Sequence, residues 1–156
     1  MKDIDSRQRI DGELLERWRL DAVKPSLLVQ EDDLLLQARG LSNTAALVPP
    51  GLGETIASAP LMVIRTDRNK LSPKYLWWFL NHPKTQARLT QSATGTTVRL
   101  ISKSQMEDLE LPLPSLEKQQ RIAAVAKLAE REQEILEDLR NKRRTYTWEV
   151  LMRMTR

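Results

Sequence analysis

From Ser115 to Arg156 the chain contains neither glycine nor proline, while Leu111-Pro112-Leu113-Pro114 just before it carries two prolines. Alternating prolines suit neither a helix interior nor a central strand. That stretch therefore reads as a stiff extended connector, with Ser115 as the N-cap of a helix beginning there. The uninterrupted run predicts one long helix. At about 1.5 Å per residue, thirty-six residues of it span roughly 54 Å.

One series along that helix advances by alternating steps of three and four: Ile122, Val125, Ala129, Glu132, Leu136, Leu139, Arg143, Tyr146 and Val150. Seven of the nine are apolar, and a stripe that narrow on so long a helix is a coiled-coil seam. The helix exceeds what the preceding residues can cover, so its seam needs a partner. Packing back against the chain's own domain is the alternative. Glu132 and Arg143 lie symmetrically about a point near residue 138, so an antiparallel pair of copies brings them together. The expected organisation is a globular domain over 1–110, a Pro-rich connector over 111–114, and a dimerisation helix over 115–156.

The N-terminal residues read differently. Leu27-Leu28-Val29 and Leu34-Leu35-Leu36, split by Gln30-Glu31-Asp32-Asp33, predict two short strands joined by a turn. Asp11–Arg19 is a short helical candidate weakened by Gly12. Ala45–Val48 and Leu61–Ile64 predict further strands, with an obligatory turn at Pro49-Pro50-Gly51-Leu52-Gly53. From Ser72 the period changes: Ser72-Pro73 is a helix start, with Ser72 as the N-cap. Leu76, Phe79 and Leu80 recur at helical spacing until Asn81-His82-Pro83. A second helix follows over Pro83–Gln91, then a polar loop at Ser92–Thr97, a strand at Val98–Ile101, and a short helix capped by Ser102. The fold class is α/β (α+β), a small twisted sheet with short helices, followed by one long coiled-coil helix.

Charge is unevenly placed. The chain has 25 Lys+Arg and 21 Asp+Glu. Residues 61–106 hold eight of the cations and a single acid, Asp67. A segment so basic is a candidate polyanion surface, because each cation set on a phosphate releases counterions; a solvated basic face is the plain alternative. Arg65, Arg68, Lys70 and Lys103 are the expected phosphate contacts. Two polar loops offer base-reading chemistry: Arg39, Asn43 and Thr44 in one, and Thr94, Gly95, Thr96, Thr97 and Arg99 in the other. Arginine reads guanine and asparagine reads adenine through paired hydrogen bonds.

Catalytic signatures are sparse. With no cysteine and one histidine, His82, thiol nucleophiles, disulfides and thiolate zinc sites are excluded. Gly51-Leu52-Gly53 lacks the lysine of a phosphate-binding loop. Asp32, Asp33 and Glu54 are a weak candidate for a hard cation, as a small metal-dependent nuclease needs. His82 reads as a helix cap, and Trp77-Trp78 as core rather than a base-stacking platform. No run approaches a membrane span, and a soluble cytoplasmic protein is expected.

These features resemble the specificity subunit of type I restriction–modification systems. Leu111-Pro112-Leu113-Pro114-Ser115-Leu116-Glu117-Lys118-Gln119-Gln120-Arg121-Ile122 is similar to that family's boundary between recognition domain and spacer helix, with Ser115 in place of a proline and Lys118 in place of an acid. Asp33-Leu34-Leu35-Leu36-Gln37-Ala38-Arg39-Gly40 is similar to a strand and turn of the family, although Asp32 stands where glycine is usual. Tyr75-Leu76, Phe79-Leu80-Asn81, and Thr94-Gly95 followed by Ile101 fall in the family's order. The resemblance implies a non-catalytic domain that reads one half of an interrupted site in double-stranded DNA and docks an adenine methyltransferase subunit. A full complex adds an ATP-driven restriction subunit. It implies no cofactor in this chain, since S-adenosylmethionine and ATP with magnesium belong to partner subunits. A full specificity subunit has two recognition domains and two spacer helices, and this chain has one of each, so it is expected to act as a homodimer. The competing reading is a scaffold of the same fold that binds a methyltransferase without reading DNA.

Overall fold

The computed structural model of the chain describes residues 4–5, 7–19, 22–40, 43–92 and 99–155. Two compact units emerge, Met1–Gln120 and Arg121–Arg156.

The first unit is built on β1 (Leu34–Gln37), which lies between β3 (Ala45–Leu47) and β4 (Leu61–Ile64) in an antiparallel sheet of order β3-β1-β4. Leu35 faces Ala46 on one side and Val63 on the other. Leu34, Leu35 and Leu36 are all buried, in an unbroken run where a half-exposed strand would alternate. The reason is that both faces of the sheet are covered. Leu34 and Leu36 join Ala45, Leu76, Leu80, Leu89 and Ile101 in one apolar cluster, while Leu35 joins Val29 and Val48 in a second. A two-residue strand pair, β2 (Arg39–Gly40) with β5 (Arg99–Leu100), stands beside this sheet.

Helices α1 (Pro73–Asn81) and α2 (Pro83–Ser92) carry proline at their first positions, which fixes φ where no hydrogen bond is lost. α3 (Lys103–Glu107) opens on a full capping box between Ser102 and Gln105. α4 runs from Leu116 to Met154 without interruption, and Ser115 Oγ accepts from Lys118 N at its start.

Three local expectations need correction. Leu27–Val29 is not a strand: Pro25–Leu27 is one turn of 3-10 helix, where Pro25 fixes the first position, and Leu28 makes an isolated bridge to Ile56. Asp11–Arg19 forms a turn, a bend and irregular chain, with no helix. Ser72 holds the N-cap position of α1 as expected, but its side chain makes no capping hydrogen bond.

Candidate nucleic-acid interface

Register in the β2–β5 ribbon is the central geometric fact of the site. Gly40 pairs with Arg99, and Arg39 with Leu100; Ile101 N donates to Ala38 O at 2.8 Å. Gly40 is the last residue of β2 and Arg99 the first of β5, so the segments 41–44 and 93–98 leave the same end of one ribbon. The chain thus leaves β2 and enters β5 at one end of the ribbon, although the two strands lie far apart in sequence. Gly40 has φ 150°, a backbone conformation that side chains rarely adopt. Thr94, Gly95, Thr96 and Thr97 lie outside the described residues, as does the side chain of Arg99. Arg39 is exposed and Thr44 half-buried.

Asn43 is placed inside, at 2% exposure, so its amide is not offered to a base edge in this conformation. Its Nδ2 donates to Gln37 O at 2.8 Å, and its own carbonyl accepts from Gln86 Nε2 at 3.0 Å. Next to it, Asn81 Oδ1 accepts from Ala45 N and Asn81 Nδ2 donates to Ala45 O, at 3.0 and 2.9 Å. The amide of Asn81 thereby imitates a neighbouring strand and closes the outer edge of β3. Gln86 on α2 and Asn81 on α1 together fix the base of the 41–44 loop. Asn81 was visible in the sequence only as a helix end and as part of the family resemblance, and Gln86 carried no signal at all.

The four cations expected at phosphates each have a carboxylate nearby. Arg65 is the most committed: its Nε and an η-nitrogen reach the two oxygens of Asp33 at 2.8 and 2.6 Å, and it also donates to Leu28 O. Burial works to raise the Asp33 carboxyl. The hydrogen bonds from Arg65 and from Gln30 N, with the charges of Arg65 and Arg68, outweigh it and hold the group below the usual carboxylate range. The same bonds to Asp33 push the Arg65 guanidinium up. Arg68 sits 3.6 Å from Asp32 and donates to Glu31 O. Lys70 lies 3.8 Å from Asp67, and Lys103 lies 3.5 Å from Glu107. These last three are exposed pairs of small energetic worth.

Asp32 and Asp33 are thus paired with arginines, and among the described residues no three His, Cys, Asp or Glu converge as a metal site. His82 caps α2, its Nδ1 accepting from Lys84 N at 3.2 Å. Trp77 packs against the larger apolar cluster. Trp78 lies against Tyr75 and His82 with ring centroids 5.6 and 5.7 Å away.

Where α4 begins, Gln119 is 1% exposed and makes three bonds. It accepts from Ser72 N at 2.8 Å and donates to Lys70 O and Pro114 O at 3.0 and 2.8 Å. Tyr75 OH donates to Pro112 O at 2.9 Å, and burial pushes its phenol up. The connector is therefore fastened to the start of α1 by two buried side chains, neither singled out as a site residue from the sequence.

In the second unit, the seam positions Val125, Leu136, Leu139 and Tyr146 are 66%, 51%, 61% and 68% exposed. No helix among the described residues is long and apolar enough to cross a membrane.

A family model, the type I restriction modification DNA specificity domain, matches residues 24–142. Among solved structures, the chain is similar to the HsdS subunit from Thermoanaerobacter tengcongensis, with a TM-score of 0.64 and 29% identity over 85% of this chain and 35% of that one. The chain thus spans about a third of the length of that solved relative. No curated protein matches.

Proposed function

The chain belongs to the type I restriction–modification DNA specificity family, and on that premise we propose that it reads one half of a bipartite site in double-stranded DNA. The family is one of recognition domains, and the chain is not an enzyme. The observation that supports the half-site reading is the Gly40–Arg99 register, which pairs the residue before one polar segment with the residue after the other. In this reading Arg39, Thr44, the 94–97 loop and Arg99 meet base edges, while Asn43 anchors one loop from within. Sequence is read through such base contacts, and phosphate contacts position the duplex.

The helix α4 pairs antiparallel with a second copy. Pairing about the midpoint of the seam sets Ala129 opposite Tyr146, a small residue against a large one, and Glu132 opposite Arg143. Charge along the helix favours the same direction. Residues 130–138 hold five acids and one arginine, and residues 139–148 hold four cations and no acid. Antiparallel pairing sets each half against its opposite, whereas parallel pairing sets like against like. The exposed apolar seam needs such cover. An adenine methyltransferase subunit docks on the pair and brings S-adenosylmethionine, and a restriction subunit brings ATP with magnesium. This chain holds no cofactor of its own and works in the cytoplasm.

The test is the methylated consensus of DNA exposed to this chain together with an adenine methyltransferase subunit. Two copies related by a two-fold axis are expected to yield an inverted bipartite consensus. A non-palindromic consensus excludes pairing of identical chains, and absence of sequence-dependent methylation excludes the half-site reading.

A further inference from the structure

Between Asp67 and Glu107 the chain carries seven cations and no carboxylate. Folding answers three of them with acids: Asp32 beside Arg68, Asp67 beside Lys70, and Glu107 beside Lys103. Lys74 on α1 and Lys84 and Arg88 on α2 are exposed. Among the described residues none of these three enters an ion pair. Three unpaired cations of this basic segment therefore sit on helices α1 and α2, apart from the four that the sequence singled out as phosphate contacts.

α2 buries Thr85 and Leu89 and turns Lys84, Arg88 and Gln91 outward at spacings of four and three, a single stripe. Lys74, Trp78 and His82 follow one another at intervals of four, and His82 is bonded directly to Lys84 N. Lys84 and Arg88 stand one helical turn apart, about 6 Å along the axis. Each strand of a duplex presents a charge every 3.4 Å or so of the helix axis, so cations spaced this way can reach phosphates of a single strand. Neither has to leave a carboxylate to do so, whereas Lys103 must part from Glu107. α2 ends at Ser92, and β5 begins at Arg99, so the helix directly precedes in the chain the residues proposed to read bases.

We propose that Lys84 and Arg88 of α2, with Lys74 of α1, are the clamp that holds the phosphate backbone of duplex DNA beside the reading loops. This rests on the DNA-reading role given above. The clamp is indifferent to sequence, since it meets phosphates alone.

The experiment is a binding titration of the full chain with a short mixed-sequence duplex across a salt series. It compares the wild type, the double variant Lys84→Gln/Arg88→Gln, the charge-keeping double variant Lys84→Arg/Arg88→Lys, and Lys103→Gln. The Gln pair is expected to lower the slope of log affinity against log salt by roughly two. The charge-keeping pair retains the wild-type slope, and Lys103→Gln lowers it by less than one. A Gln pair with the wild-type slope overturns the clamp while leaving DNA reading in place. A wild type that shows no salt-dependent duplex binding overturns the reading itself, and the clamp with it.

Discussion

Asp33 and Arg65 lie thirty-two residues apart and meet side-on, the guanidinium grasping both carboxylate oxygens at 2.8 and 2.6 Å. The carboxylate is 3% exposed, while Arg65 keeps 44% of its side chain in solvent. Asp33 also accepts from Gln30 N, and Arg65 continues to Leu28 O. One ion pair thus closes the turn before β1, where Asp32 is held at φ 68°, and ties it to the end of β4.

Asp33→Asn is expected to destabilise the chain by about 1 to 3 kcal/mol, reduced from a fully buried pair because water screens Arg65. The folded carboxyl lies below its unfolded value. Its stabilising contribution is therefore complete above about pH 4 and is lost as pH falls through the lowered folded value. Denaturant midpoints against pH measure this. The wild type should lose stability on acidification below pH 4 or so more steeply than Asp33→Asn, and equal slopes remove the assignment.

Gln119→Leu strips partners from Ser72 N, Lys70 O and Pro114 O in a buried site. The expected loss is about 2 kcal/mol or more, since each buried orphan group carries its own desolvation penalty. A change within about 0.5 kcal/mol in chemical unfolding would mean that water takes over these bonds.

Glu132→Arg is expected to weaken the antiparallel pair by setting cation against cation, and adding Arg143→Glu is expected to restore it. Sedimentation of the two variants reads this directly. A dimer unaffected by Glu132→Arg alone places the seam elsewhere, and a wild-type monomer removes the proposed pairing.

Inserting one heptad after Leu139 keeps the seam in phase and lengthens the helix by about 10.5 Å. At 3.4 Å per base pair the gap between half-sites should grow by about three pairs, fewer where DNA bends. A methylated consensus with an unchanged gap would show that the helix does not set the spacing.

Arg99→Ala is expected to relax discrimination by roughly 1–3 kcal/mol while leaving affinity for unrelated duplexes nearly as it was. The comparison is between the methylated consensus and a scrambled duplex. Equal losses on both demote Arg99 to a backbone contact.

Much of this architecture is local and was therefore legible. Pro73, Pro83 and the prolines at 112 and 114 mark helix starts and the connector because a pyrrolidine ring constrains its own residue and the one before it. The seam on α4 is a periodicity, which survives whatever surrounds the helix. Leu27–Val29 misled because a short apolar run fits a strand, a turn or a buried segment alike, and here Pro25 and the neighbouring chain decided.

Side-chain assignment depended on distance through space. The basic bias between Asp67 and Glu107 is written in the residues, but which cations remain unpaired depends on where Asp32 and Glu107 come to lie. Asn43 has a reader's chemistry and an interior place, because Gln37 and Gln86 converge on it. The sequence alone determined helices α1 to α4, their breaks, the apolar seam and the basic segment, since each follows from backbone limits or from spacing along one element. The tertiary structure decided that segments 41–44 and 93–98 share a ribbon end, and that Asp33 meets Arg65. Both are contacts between distant residues, and no local propensity encodes which distant partner a strand or a charge will meet.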